Sequence, residues 1–383
     1  MGRTRVVILV DCLDDATSGG AERVAVTQAV HLPKDVYDVT VCSSRSGSGQ
    51  LVADIEASAA EHVSLHRTSR RDLAGYRRLY ALLRERRPDV LHAHMHGSNV
   101  NGSLIGTLAR VPVVISHEHT WSYEGEPLRK LLDGLVVGRL SDAFLAVSTA
   151  DADRMRRLEH VPARKVRVLP NAWVPRAPSP ARDIRAAAGI PSDAPLAAAI
   201  TVLRPQKRLE VLVEAFSHTL RAVPDARLVI AGEGPERGTI EAAIVRFGVA
   251  GSVHLLGFCQ DVDNVWAAAD VLAMSSDFEG MPLAVLEGMA AGLPVVATDV
   301  GALPDITDAG CAILVGRRDP AALGAALAEM LGDAGRRAAM SAAAKEKAAD
   351  YTVERFIERT RALYDDLLSR SRRCPRRGRG GSP

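Results

Sequence analysis

A chain of 383 residues is long for a single hydrophobic core and fits two domains of ordinary size. It is 47% hydrophobic and 25% charged, the balance of a folded globular protein and not of a disordered or collagen-like one. The formal net charge of +2 carries no overall nucleic-acid signature, and no stretch approaches the ~18–20 uninterrupted apolar residues of a membrane span.

The chain opens on MGRTRVVILVD, basic and then apolar. The apolar run stops at Asp11, too early for the core of a secretion signal, and reads as a buried strand. Gly19 and Gly20 follow in SGGAERV, just before a stretch with helical periodicity. Glycines there let backbone N–H groups approach a phosphate at the helix start, although such a pair serves equally well to make a turn. A dinucleotide fingerprint needs G-x-G-x-x-G here and an acidic residue after the second strand, and DVTVCSSRSGSG supplies neither. That pattern argues against NAD. A basic helical stretch from Asp72 to Arg87 leads into PDVLHAH, and VPVVISHEH and DAFLAVS follow as further strands. The rhythm predicts a parallel, doubly wound sheet with ligands at the C-terminal ends of its strands.

Histidines cluster in HAHMH (His92, His94, His96) and HEH (His117, His119). Metal binding is the tempting reading, but H-x-H-x-H outside a helix lacks a fixed helical face. No cysteine or carboxylate accompanies it at a zinc-like spacing, so no metal site is expected. Ser148 in AVSTAD and Asn171 in VLPNAW read as cap and turn residues. The proline-rich segment PNAWVPRAPSPARD then reads as an interdomain linker.

A second strand–helix series runs through PLAAAITVL, ARLVIAGEG, VHLLGF, DVLAMS and LPVVAT. Arg204 and Lys207 follow its first strand, where two cations can neutralise a diphosphate leaving group. GEGPE, with Gly232, and LGFCQD form strand-end loops. The most informative stretch is SSDFEGMPLAVLEGMAAGLPVVATDVGALPDI, from Ser275 to Ile306. Glu279 and Gly280 read as loop, Pro282 as the first helical position, and Leu283, Leu286 and Glu287 as helix. Gly292 and Pro294 stop it. A carboxylate beside the free N–H groups of a helix start can hold a sugar hydroxyl and a phosphate together.

E-G-M-P-L, E-G-M-A-A-G-L-P-V-V-A-T-D and G-A-L-P-D-I resemble the donor-binding signature of the retaining glycosyltransferases of family 4. The resemblance implies the GT-B architecture: two Rossmann-like α/β domains facing a cleft, with a C-terminal helix crossing back to the first. It implies that Glu279 faces the donor sugar and Glu287 grips the nucleotide ribose. Backbone groups of Gly280, Met281 and Leu283 would contact sugar and phosphate, Gly19 and Gly20 the diphosphate and acceptor, and the Gly232 loop the base. Lys207 matches the family's phosphate-binding lysine. His119 best fits the histidine near the anomeric carbon, with His117 as its rival, and His94 resembles a second cleft histidine on the acceptor side.

Three positions depart from the family pattern. Asp305 stands where glutamate is more frequent, and Ala172 replaces the glycine of P-N-G. The arginine usually found five residues before the lysine is absent, and Val202 takes its place. Arg204 is expected to reach the diphosphate from its shifted position.

The implied reaction moves a sugar from a nucleotide-sugar to a hydroxyl of a glycan, a lipid-linked glycoside or a small molecule, without cofactor or metal. Attack on the same face, with the leaving phosphate accepting the proton, is the implied route, and a double displacement with Glu279 as the carboxylate nucleophile stays open beside it. The expected layout is an acceptor domain over 1–172, a donor domain over 173–351, a crossover helix over 352–370 and a disordered tail over 371–383. The last fourteen residues carry six arginines and no acid, suited to weak contact with an anionic membrane surface. Five cysteines without a C-x-x-C pair point to reduced thiols in the cytoplasm, at most peripheral at the inner membrane face. A nucleotide-sugar epimerase and a non-catalytic partner subunit stay open as other readings.

Overall fold

The computed structural model describes residues 2–14, 19–69, 71–119, 126–176 and 182–373. The chain divides into two compact units, Met1–Ala172 with Val353–Pro383, and Trp173–Thr352.

The first unit holds a seven-stranded sheet. Its strands are β1 (Thr4–Val10), β2 (Tyr37–Ser43), β3 (Glu61–Ser64), β4 (Val90–His94), β5 (Val113–His117), β6 (Ala143–Ala146) and β7 (Val166–Val168). They lie in the order β3-β2-β1-β4-β5-β6-β7, and every pairing is parallel. The near-continuous apolar run Val6–Val10 is buried because helices cover both faces of such a sheet. β4 shows what the alternation of a strand does here. Leu91 and Ala93 join an apolar cluster with Leu79, Leu83 and Val114. His92 and His94 turn to the other face, where Tyr364 of the C-terminal helix Val353–Arg373 meets His92. That helix buries Phe356, Ile357, Tyr364, Leu367 and Leu368, an apolar stripe at helical spacing. It continues through Arg373, and residues 374–383 of the basic tail lie outside the described ones.

The second unit holds a six-stranded sheet ordered β10-β9-β8-β11-β12-β13. Its strands are β8 (Leu196–Ile200), β9 (Arg227–Ala231), β10 (Val253–Gly257), β11 (Val271–Met274), β12 (Val295–Thr298) and β13 (Ala312–Val315). The helices Leu209–Ala222 and Pro320–Gly332 pack closely on one face, with Leu212, Phe216, Leu323 and Leu327 in the core. A Cβ at Gly324 would sit 2.4 Å from the Ala215 carbonyl oxygen, so only glycine permits that approach. Three short strands, β3, β7 and β13, go beyond the sequence reading, and each lies at a sheet edge. Among the described residues no helix is long and apolar enough to cross a membrane.

Candidate active site

In the second unit β8 pairs with β11 at the point where the strand order reverses. The loops leaving their C-terminal ends are therefore neighbours, the position where open α/β sheets bind ligands. The β8 loop carries Arg204 and Lys207, and the β11 loop carries Glu279. Lys207 Nζ donates to Glu279 Oε1 at 2.6 Å, joining residues 72 positions apart. Ser276 Oγ donates to the same oxygen at 2.6 Å, and Glu279 is 9% exposed. Ser275 Oγ ties the two loops by donating to the carbonyls of Lys207 and Arg208, at 2.8 and 2.9 Å. Thr201, Lys207, Ser275, Ser276, Glu279 and Ala284 line one recess.

Gly301 supports this loop from behind. Its φ is +58°, and a Cβ there would lie 2.2 Å from the Glu279 carbonyl oxygen, so both backbone and space require glycine. Ala302 N–H donates to the Gly280 carbonyl at 2.8 Å, fixing the turn at Gly280. Met281 is buried. Pro282 is the cap, one residue before the helix Leu283–Ala291 begins, because its ψ of 120° is extended. The N–H groups of Leu283 and Ala284 precede the first helical bonds, which Val285 and Leu286 make to the Pro282 carbonyl, and suit an anion. Gly292, with φ of 88°, ends it in the left-handed conformation. Glu287 lies on this helix, where its Oε1 accepts from Arg176, which also holds Asp263 Oδ1 at 2.8 Å.

Arg204 precedes the single turn Pro205–Lys207 and is exposed, as is Val202 at 41%. Gly232, with φ of +139°, packs against the same loop, where a Cβ would lie 1.8 Å from the Thr201 carbonyl oxygen. That contact alone accounts for a glycine at this position. Gly19 caps the helix Gly20–His31 in the first unit and donates its N–H to Glu22 Oε2 at 2.8 Å. Its φ of −116° is open to any residue, and a Cβ would have ordinary space. Glycine is therefore not required there by the backbone.

The histidines of the first unit form one buried array. His94 and His117 end adjacent strands in register. His92 stacks on His94 with ring centroids 4.4 Å apart, and His94 Nδ1 lies 2.9 Å from His119 Nε2. Gln28 Nε2 and the Tyr364 hydroxyl each lie 2.9 Å from His92 Nδ1. Burial pushes all four imidazoles down: His92, His94 and His117 well below the ordinary range, and His119 to about 4 with Asn171 opposing the shift. The array is uncharged at neutral pH. His92, His94 and His117 also bring ring nitrogens within 4.8 Å of one another, since alternate residues of a strand share a face. His119 is 7% exposed and His117 fully buried, so His119 is the more accessible of the two. Ser148 caps a helix by accepting from Asp151 N–H at 3.0 Å, as the sequence suggests.

Two family models match in tandem: Glycosyltransferase Family 4 over residues 18–173 and Glycosyl transferases group 1 over 180–347. A D-inositol 3-phosphate glycosyltransferase of Xylanimonas cellulosilytica is 30% identical over 314 residues, covering 76% of this chain and 74% of the relative. The chain belongs to the family 4 glycosyltransferases. An Escherichia coli relative, UDP-Gal:alpha-D-GlcNAc-diphosphoundecaprenol alpha-1,3-galactosyltransferase, is 24% identical over 73% of this chain and 76% of its own length. The structure of Anabaena HepE in complex with UDP-glucose superposes with a TM-score of 0.83 at 18% identity, covering 95% of this chain and 100% of that one. This likeness shows that the glycosyltransferase has the GT-B fold.

Ser276, Arg176, Glu22 and Gly301 belong to the surroundings of the anticipated residues, though none was singled out as a site residue. For Ser276 a signal existed, because it stands three residues before Glu279 in S-D-F-E. For Arg176 none did: it meets Glu287 from 111 positions away.

Proposed function

We propose that this glycosyltransferase takes its sugar from a UDP-linked donor held by the second unit and transfers it with retention to a hydroxyl acceptor. The observation that carries the reading is the Lys207–Glu279 contact at the switch point of the sheet. A bound diphosphate replaces Glu279 as the anionic partner of Lys207 and releases that carboxylate to accept from a sugar hydroxyl. Arg204 adds a second cation, and the helix start at Leu283 turns its N–H groups to phosphate and sugar. Glu287 exchanges Arg176 for the ribose hydroxyls. UDP is favoured because the HepE structure holds UDP-glucose and the E. coli relative is named for UDP-Gal.

In the transfer, the bond from the anomeric carbon to the leaving phosphate oxygen breaks as the acceptor oxygen bonds the same face. The acceptor proton passes to the leaving phosphate. His119, neutral at working pH, orients a hydroxyl without adding charge, and His94 fixes its ring. Glu279 serves as an orienting group and not as a nucleophile, its Oε1 still held by Ser276 once Lys207 has turned to the diphosphate. Cys12, Cys42, Cys259 and Cys311 form no disulfide among the described residues, which fits a reducing compartment, and the arginine-rich tail fits weak contact with an anionic membrane face.

A thermal-shift panel of UDP-, GDP-, ADP- and dTDP-linked sugars tests the donor. UDP sugars raise the melting temperature most, by mass action on the folded state. A larger shift with a GDP sugar contradicts the base assignment. Excess chelator leaves turnover unchanged, because Lys207 and Arg204 supply the charge a metal would otherwise provide. Loss of activity that magnesium or manganese restores would contradict this part of the account.

A further inference from the structure

Two residues before Glu279, Asp277 is 7% exposed, and its carboxylate is gripped from two directions. Arg208 Nε donates to its Oδ2 at 2.6 Å. Arg318, from the segment after β13, donates through Nε to Oδ1 at 2.9 Å and through Nη2 to Oδ2 at 2.7 Å. Arg317 Nη1 adds a bond to the Asp277 carbonyl at 3.2 Å, and Asp277 N–H donates to the Gln206 carbonyl at 2.8 Å. One short loop is thus anchored to two others.

Arg208 and Arg318 share a second feature. Their φ values are 49° and 56°, the left-handed region that residues with a Cβ seldom occupy. Such backbone persists where surrounding contacts over-determine it. Both strained arginines end on the same carboxylate, and Arg208 directly follows Lys207.

We propose that Asp277, clamped by Arg208 and Arg318, is a positioning residue for sugar transfer, fixing the Lys207 loop and the Glu279 loop in one frame. The inference rests on the donor-site reading above. Lys207 acts on the diphosphate and Glu279 on the sugar, so their separation sets where the anomeric carbon lies between them. Ser275 tethers the same loops through single hydroxyl bonds. The Asp277 clamp adds charge-assisted and partly bidentate bonds, which hold geometry more tightly.

The test uses the full chain and the sugar nucleotide giving the largest thermal shift, followed by nucleoside diphosphate release with water as acceptor. Asp277→Asn lowers kcat about 10- to 100-fold, the scale for misplacing a reacting group by a fraction of an ångström. KM for the donor and the calorimetric Kd for UDP stay within about threefold, because the loss falls on the transition state. Arg208→Gly separates positioning from stability. Glycine accepts φ of 49° without strain, so the variant folds and melts near the wild type, yet it is slowed like Asp277→Asn. A kcat within about twofold of wild type in folded Arg208→Gly overturns the clamp, whatever Asp277→Asn does to stability. Lys207→Ala is the control. If it keeps full turnover, the donor-site reading has failed and the inference falls with it; if it is inactive while Arg208→Gly is normal, the clamp alone is wrong.

Discussion

Lys207→Ala lowers turnover by about 10²- to 10³-fold, the scale for removing one preorganised charge stabiliser from a developing anion. The loss appears in kcat and in nucleoside diphosphate affinity together, because the ammonium contacts the diphosphate both before and during bond breaking. Stability changes little by comparison, since the Lys207 side chain contributes a single ion pair beside Ser276's bond to the same carboxylate oxygen. Arg204→Ala costs about a hundredfold on the same argument, without affecting the fold, because the side chain is exposed. Val202→Arg on that background recovers part of the rate: position 202 is 41% exposed in the same loop and has room for the longer side chain. Steady-state rates of diphosphate release measure all three variants. A nearly neutral Arg204→Ala would leave Lys207 and the helix start as the whole leaving-group machinery.

The second large effect concerns pH. His119 has its pKa pushed down to about 4, and His92, His94 and His117 lie well below the ordinary range. Desolvation is the leading cause in each case, followed in the three last by repulsion from neighbouring imidazoles. The folded state therefore binds fewer protons than the unfolded chain, whose histidines titrate near 6.5. Stability is full above about pH 6.5 and is lost as pH falls, at about 1.4 kcal/mol per pH unit for each histidine. His119 alone removes about 3 kcal/mol between pH 6.5 and 4. The carboxylates with lowered pKa, Asp277 among them, act only further down, as pH falls through the carboxylate range. Denaturant unfolding between pH 7.5 and 5 shows the first unit weakening steeply, and His119→Asn flattens the slope by about 1.4 kcal/mol per pH unit. A midpoint constant over that range contradicts a neutral, buried array.

Much of this was legible in the sequence, for identifiable reasons. The central strands are short apolar runs ending in polar residues, and burial on both faces leaves that mark. Lys207 and Glu279 each stand in a strand-end segment that the sequence marks, and the two side chains meet across the fold. β3, with the sequence EHVS, and the three-residue β7 sit at edges, where one neighbour is enough and the apolar signal fades. The Asp277 clamp had no local mark, because its arginines come from 69 and 41 positions away. Gly301 carries no local mark of its role, because its reason is the Glu279 carbonyl 2.2 Å from a would-be Cβ. In H-x-H on β4, the spacing lacks a helical face but possesses a strand face, which is how His92 and His94 come to stack.

A crystal structure of the complex with UDP-glucose tests the donor site most directly. In that complex Lys207 Nζ lies within hydrogen-bond distance of a diphosphate oxygen, Glu279 is turned to a glucose hydroxyl and Glu287 sits on the ribose. UDP-glucose bound with its diphosphate away from Lys207, and with the Lys207–Glu279 pair still closed, would contradict this assignment.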